Sequence, residues 1–336
     1  MRYEALCLAT ALLAVPMADT ASAQVAKAAQ KEAKKVSMVD KAIGKYTKVT
    51  GVSGSLNSVG SDTLNNLMTL WAESYQKIYP NVKIQIEGKG SSTAPPALIE
   101  GTSQLGPMSR QMKSKEEDKF EKAFGYKPTK IPVAIDALAV FVHKDNPIEK
   151  LTLQQVDAMF SKGRKGGLAK AITNWGGAGL SGQWASKPIR LYGRNSASGT
   201  YSYFKKQALF KGDYLNTVKE QPGSSAVVSS IASDPFAIGY SGIGYKTSGV
   251  KTVPLAKMAG ERYYSTDPKD VYSGKYPLAR FLYIYVNKAP GKDLDPLTQQ
   301  YLRFILSREG QTIVEKDGYL PLTKRIQVQS LKKLGL

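Results

Sequence analysis

At 336 residues the chain is too long for one compact core and long enough for two lobes, and its 42% hydrophobic and 22% charged content excludes wholesale disorder. Forty-seven Lys and Arg against 27 Asp and Glu leave a net charge of +20, which favours anionic partners. One histidine (His143) and one cysteine (Cys7) exclude a Cys/His zinc cluster and an intrachain disulfide, and any Ser–His or Cys–His hydrolase would rest on His143 alone.

Residues 1–23 read as a secretory signal. Arg2 supplies the positive start, residues 5–17 are apolar with a single hydroxyl, and Ala21-Ser22-Ala23 is a small-x-small site for cleavage after Ala23. The apolar stretch is shorter than the roughly 20 residues that span a bilayer, so a membrane anchor is the weaker reading. Cys7 leaves with the signal, and the mature chain is expected to be soluble and periplasmic. Residues 24–54 read as a basic flexible tether, with seven lysines between Gln24 and Lys48 set against Glu32 and Asp40. A polybasic arm that touches anionic lipid or polymer is the alternative.

From Leu56 onward, short apolar runs alternate with amphipathic stretches, the rhythm of an α/β protein. Over residues 62–79, Leu64, Leu67, Met68, Trp71, Tyr75 and Ile78 fall at helical spacing, and Pro80-Asn81 ends the element. Residues 82–86 alternate as a strand, and Pro95-Pro96 suits the first turn of a short helix running to Gly101. Ser114-Lys115-Glu116-Glu117 resembles a capping box before a helix that ends at Gly125. Residues 131–142 are too apolar for a surface element and read as buried strand crossing between lobes. A capped helix is predicted over 152–160, Gly-rich loop over 161–187, a strand over 189–192 and helices over 198–210 and 226–232. Strands follow at 237–240 and 281–286, then a capped helix at 295–306. There is no internal repeat.

The search for catalytic motifs yields absences. No Gly-Lys pair is followed by Ser or Thr, so there is no Walker A loop, and no dinucleotide fingerprint follows a strand. Gly239-Tyr240-Ser241-Gly242-Ile243 fails as a nucleophile elbow at its fifth residue. The basic residues are scattered and form no recognition helix or stacking platform, so nucleic acid is not an expected partner. What remains is a set of hydroxyl-rich turns, each between a strand and a helix. They are Gly60-Ser61-Asp62-Thr63, Gly88-Lys89-Gly90-Ser91-Ser92-Thr93 and Arg194-Asn195-Ser196-Ala197-Ser198-Gly199-Thr200. A helix N-terminus offers unpaired amides and about half a positive charge, to which Ser and Thr add donors. One such turn usually only caps its own helix. Three in one chain, one of them carrying an arginine, point to convergence on one anion.

In this order the turns resemble those of the periplasmic phosphate-binding proteins, the substrate-binding proteins of phosphate ABC transporters. Gly193-Arg194-x3-Ser198-Gly199-Thr200 matches that family's Arg-x-x-x-Ser-Gly-Thr clamp, and Gly90-Ser91-Ser92 its second turn. Ala237-Ile238-Gly239-Tyr240 matches its return strand, and Lys316-Asp317-Gly318-Tyr319-Leu320-Pro321-Leu322 its C-terminal signature, so the resemblance covers residues 55–323. It implies a type II periplasmic binding protein fold: α/β, with two lobes joined by a two-strand hinge and the ligand in the cleft. Lobe one would comprise residues 55–136 and 241–330, and lobe two residues 137–240. The implied function is capture of inorganic phosphate and delivery to an ABC transporter permease in the inner membrane, without catalysis, cofactor or metal. The chain is expected to act as a monomer. The phosphate site would draw Ser61, Asp62 and Thr63 from the first turn, Ser91 and Ser92 from the second, and Arg194, Ser198, Gly199 and Thr200 from the third.

One segment departs from the family. Many members carry Gly-Ala-Ser-Asp after the third strand, and that Asp accepts the proton of phosphate. Here Gly106-Pro107-Met108-Ser109-Arg110 puts Ser109 in its place, followed by Arg110. At neutral pH phosphate has a proton to donate and sulfate has none, so an acceptor is what separates them. Asp62 is the candidate replacement, with helix capping as its other role. Arg110 is either a second guanidinium on the anion or the partner of a cleft carboxylate; Ser109 and Arg110 are both counted among the expected ligands. A secreted phosphatase-like protein and a basic surface adhesion protein are the alternatives, the first lacking a nucleophile–base pair or a two-metal carboxylate cluster.

Overall fold

The computed structural model describes residues 37–336. The expected signal sequence (1–23) and residues 24–36 of the expected tether lie outside them.

Strands β1 (Gly54–Val59) and β2 (Val82–Glu87) pair in parallel across helix α1 (Asn65–Ile78). That helix forms because Leu67, Met68, Trp71, Ala72 and Tyr75 fall three or four residues apart and make one buried stripe. Helix α2 (Ala94–Ile99) has proline in its first turn and leads to β3 (Gly106–Met108). Helix α3 (Ser114–Phe124) stops at Gly125, whose φ of 81° only glycine adopts without strain. Strand β4 (Thr129–Ala137) pairs antiparallel with β12 (Ala279–Val286), whose other edge takes β3. A parallel bridge between Ser58 and Leu105 joins the two pieces, so the first sheet reads β2-β1-β3-β12-β4.

The second sheet is built from β5 (Ala139–His143), β7 (Arg190–Arg194), β8 (Lys219–Gln221), β9 (Ala237–Ser241) and β10 (Val250–Thr252), in the order β10-β5-β9-β7-β8. A short parallel ladder, β6 (Leu151–Thr152) with β11 (Leu255–Ala256), flanks helix α4 (Leu153–Phe160), which Thr152 caps by accepting from the Gln155 amide. Helices α5 (Gly199–Gln207) and α6 (Ser224–Ala232) belong with this sheet. After α7 (Pro268–Tyr272) the chain returns through β12 and ends in α8 (Pro296–Ile305), α9 (Arg308–Lys316) and α10 (Lys324–Leu334). Among the described residues no helix is long and apolar enough to cross a membrane.

Three expectations are corrected. The apolar run over 131–142 is two strands broken at Leu138, one for each sheet. The strand at 237–240, expected to carry the chain back to lobe one, lies instead between β5 and β7, where both its edges and both its faces are covered. The chain returns at Leu278, whose carbonyl accepts from the Leu138 amide at 3.2 Å, so the boundary expected at 240/241 moves some way along the chain. Residues 38–49, expected as part of the flexible tether (24–54), are packed down. Val39 and Ile43 are buried, Tyr46 Oη hydrogen-bonds Tyr79 Oη at 2.9 Å, and the Lys324 amide donates to Asp40 Oδ2 at 2.9 Å. Apolar anchors spaced among the lysines hold this strap, against what the charge count suggested.

Candidate functional site

The three turns converge. The first follows β1 and is stitched to its neighbours by backbone: Ser61 N donates to Pro107 O at 2.7 Å, and Gly90 N to Gly60 O at 2.7 Å. The second follows β2 and needs Gly90 twice, since its φ is 113° and a Cβ there would lie 2.6 Å from Ala197 O. The third follows β7 and opens α5. It meets the second across the cleft, where Ser92 N (3.2 Å) and Ser92 Oγ (3.0 Å) both donate to Ala197 O.

At the junction lies a cluster of buried hydroxyls. Ser109 Oγ accepts from Ser61 Oγ at 3.0 Å, and lies 3.3 Å from Ser91 Oγ and 3.4 Å from Thr200 Oγ1. Thr200 Oγ1 in turn hydrogen-bonds Thr63 Oγ1 at 2.8 Å. Four of these five come from the first lobe and Thr200 from the second. Gly199 makes the approach possible, because a Cβ there would sit 2.3 Å from Ser91 Oγ.

Two guanidinium–carboxylate pairs flank the hydroxyls. Arg194 is 1% exposed; its Nη1 lies 2.8 Å from Asp62 Oδ1 and 2.7 Å from Ser224 Oγ, and its Nη2 donates to Pro222 O at 3.0 Å. Burial pushes this guanidinium below its ordinary pKa, while Asp62 beside it favours the charge. Asp62 Oδ1 also accepts from Ser224 N at 2.7 Å, so this residue caps α6 of the opposite lobe rather than its own helix. On the other side, Arg280 donates through Nε (2.9 Å) and Nη2 (2.7 Å) to the fully buried Asp136, and through Nη2 to Thr200 Oγ1 at 2.9 Å. Its Nη1 reaches Ser109 O at 2.9 Å.

Of the residues the sequence predicted, Ser61, Thr63, Ser91, Ser109, Gly199 and Thr200 meet here, with Arg194 and Asp62 alongside. Ser198 and Ser92 turn elsewhere: Ser198 Oγ accepts from the Thr200 and Tyr201 amides as the cap of α5, and Ser92 holds Ala197. Arg110 takes the second of its two expected roles, though with a carboxylate on its own helix-start. Its Nη1 and Nη2 grip Glu116 at 2.6 and 2.7 Å. Burial would raise the Glu116 carboxyl, but these bonds and the Lys113 amide hold it below its ordinary value. Arg280, Asp136 and Ser224 were missed. The sequence did carry a signal for the first two, Asp136 as the one charge within the apolar run 131–142 and Arg280 as the one charge of the apolar strand β12.

The two cations are matched by two carboxylates, so an oxyanion here would be held by directed hydrogen bonds in a dry cleft rather than by excess charge. Hydroxyls can turn their protons outward onto such a ligand, and guanidinium forks fit its tetrahedral edge. Among the described residues, no group of three or more His, Cys, Asp or Glu converges on a metal position.

A sequence profile described as the PBP superfamily domain matches residues 45–309. A phosphate-binding protein PstS of Pseudomonas aeruginosa is 58% identical over 301 residues, covering 90% of this chain and 93% of that one. One from Staphylococcus saprophyticus is 26% identical, covering 84% of each. Among solved structures, a Clostridium perfringens protein assigned as a phosphate ABC transporter substrate-binding protein, with bound phosphate, superposes with a TM-score of 0.68 at 27% identity. It covers 80% of this chain and 100% of that one. An ABC-type phosphate transport receptor from Vibrio cholerae shares the fold, with a TM-score of 0.60 at 22% identity, covering 80% of this chain and 100% of that one.

Proposed function

This chain belongs to the PBP superfamily, and because its relatives there are phosphate-binding proteins, we propose that it captures inorganic phosphate between its lobes and hands it to the permease of an ABC transporter. It is a binding protein and not an enzyme; the phosphatase and adhesion readings find no support among its relatives. It works as a monomer in the periplasm, reached through the signal of residues 1–23, and delivers to an inner-membrane partner.

The observation that carries the reading is the split of donors. Ser61, Thr63, Ser91 and Ser109 stand on one lobe, Gly199 and Thr200 on the other, and they meet in one buried cluster, with Arg194 of the second lobe paired to Asp62 of the first beside it. An anion with four oxygens satisfies both halves at once, so binding and closure are one event. Arg194 takes one edge of the anion, Arg280 the opposite one, and the hydroxyls the remainder. Asp62 serves as the proton acceptor through Oδ2, since its contacts with Arg194 and Ser224 fall on Oδ1. Calorimetric titration with phosphate and sulfate side by side is the test. Phosphate binding with sulfate excluded is expected; no heat with phosphate overturns the reading.

A further inference from the structure

Beside the hydroxyl cluster opens a cavity of about 660 Å³, walled by the Arg110–Ser114 segment and the start of β12 on one lobe and by the later turns of α5 on the other. Both lobes contribute, so it is a mouth of the cleft. Four cations line it, Arg110, Lys113, Lys206 and Arg280, and no carboxylate does. Arg110 is paired with Glu116 and Arg280 with Asp136. Lys113 and Lys206 are exposed, one on each lobe, and have no ion pair among the described residues. Arg110 is buried and its Nε lacks a hydrogen-bond partner. Arg280 belongs to both places, since it lines the cavity while its Nη2 donates to Thr200 Oγ1 in the cluster.

We propose that this cavity is an outer oxyanion site, in which a hydrated phosphate ion is held before it passes Arg280 into the hydroxyl cluster. The proposal rests on the phosphate-binding reading above. The volume falls in the roughly 300–1,000 Å³ range of pockets for whole small molecules, so a single tetrahedral ion keeps its water there and is held by charge rather than by shape. Cations lining a low-dielectric cleft concentrate the counter-ion and raise association rates about 10- to 1,000-fold. Such a site treats phosphate and sulfate alike and leaves discrimination to the inner cluster.

The test follows radiolabelled inorganic phosphate by rapid filtration on the full chain and on a Lys113→Gln/Lys206→Gln variant, neither residue being in the inner cluster. At low ionic strength the variant should associate about tenfold more slowly and dissociate more slowly in step, leaving the dissociation constant nearly unchanged, and the gap should close as salt is added. Equal association rates at low salt, or a slowing that salt does not erase, overturn the outer site. So does a faster dissociation at unchanged association, which would put the lysines on the bound ion. If the unaltered chain retains no phosphate, the functional reading itself has failed, and that is read from the wild-type arm alone.

Discussion

Asp62 and Arg194 stand on opposite lobes and meet at 2.8 Å, and both also hold Ser224 at the head of α6. The pair is a latch across the cleft, with the carboxylate tied to the cation and to the partner lobe's helix terminus at once. Closing the lobes therefore fixes the orientation of Arg194, because that orientation depends on groups from both sides.

Replacing Arg194 with Ala should nearly abolish phosphate binding, by about 2–5 kcal/mol, since a desolvated charged hydrogen-bonding partner is lost and Asp62 is left unpaired. The fold should survive, because β7 keeps its ladder on both sides. Titration calorimetry with a parallel thermal melt reads both. An unchanged dissociation constant would remove Arg194 from the site.

Asp62→Asn should lower the phosphate-to-sulfate preference. An amide cannot accept the phosphate proton as a carboxylate does, and it can offer sulfate a donor. Loss of one charge-assisted hydrogen bond, about 3 kcal/mol, shifts the ratio on the order of a hundredfold. Competition binding measures it; a ratio equal to wild type leaves Asp62 as a latch only.

Gly199→Ala should hold the lobes apart. The new Cβ would lie 2.3 Å from Ser91 Oγ and 2.7 Å from Ser109 Oγ, both on fully buried side chains with little room to shift. Phosphate affinity should drop more than tenfold with little change in melting temperature, since each lobe packs as before. Small-angle scattering should show a less compact molecule in the presence of phosphate than wild type.

Burial pushes the Asp317 carboxyl from 3.8 up to about 6, against the hydrogen bond from Asn66. A carboxylic acid whose folded pKa is raised costs stability when ionised. That cost is absent below about pH 4, grows between pH 4 and 6, and is complete above. Asp317→Asn should therefore match wild type at pH 4 and exceed it at pH 7 by up to about 3 kcal/mol. Thermal melts at the two pH values decide it, and an equal shift at both would assign the effect to packing instead.

Ile43→Ala should destabilise the protein by about 2–5 kcal/mol while leaving the phosphate dissociation constant alone, since Ile43 is a fully buried anchor of the strap and takes no part in the hydrogen bonds of the hydroxyl cluster. Denaturant unfolding checks the first half and calorimetry the second. No loss of stability would return the strap to the solvated tether that its lysines suggested.

The turns were legible because each states its geometry locally: glycine where backbone must approach, hydroxyls at fixed offsets between a strand and a helix. Gly125 as the end of α3 was readable for the same reason, whereas Ser198, expected among the ligands, proves to be the cap of α5. Arg280 and Asp136 were not, because they meet only through the pairing of β4 with β12, and the two positions are 144 residues apart. Each was visible as an odd charge in an apolar run, without a partner to give it meaning. Arg110 was misjudged between two roles because Glu116 does double duty, accepting from the Lys113 amide as a helix cap and from Arg110 as an ion pair. The return to the first lobe was placed too early because an apolar strand does not say which two neighbours it lies between; β9 is buried by β5 and β7, and only the register shows that.

The hydrogen bond between Leu138 and Leu278 has a consequence for how the chain is assembled. Everything between those two residues is one excursion that leaves the first lobe and comes back to the point of departure. Strand β12, made only after the excursion, is the one that separates and pairs β3 and β4. A nascent chain therefore has all the strands of its second sheet in hand while the first is still missing its middle. Long-range pairing of this kind is slow, and its unpaired edges stay open to wrong partners until the late strand arrives. Any chain ending before residue 279 is left with a permanently split first sheet, so truncation products should be cleared or aggregate rather than persist as half-working binders.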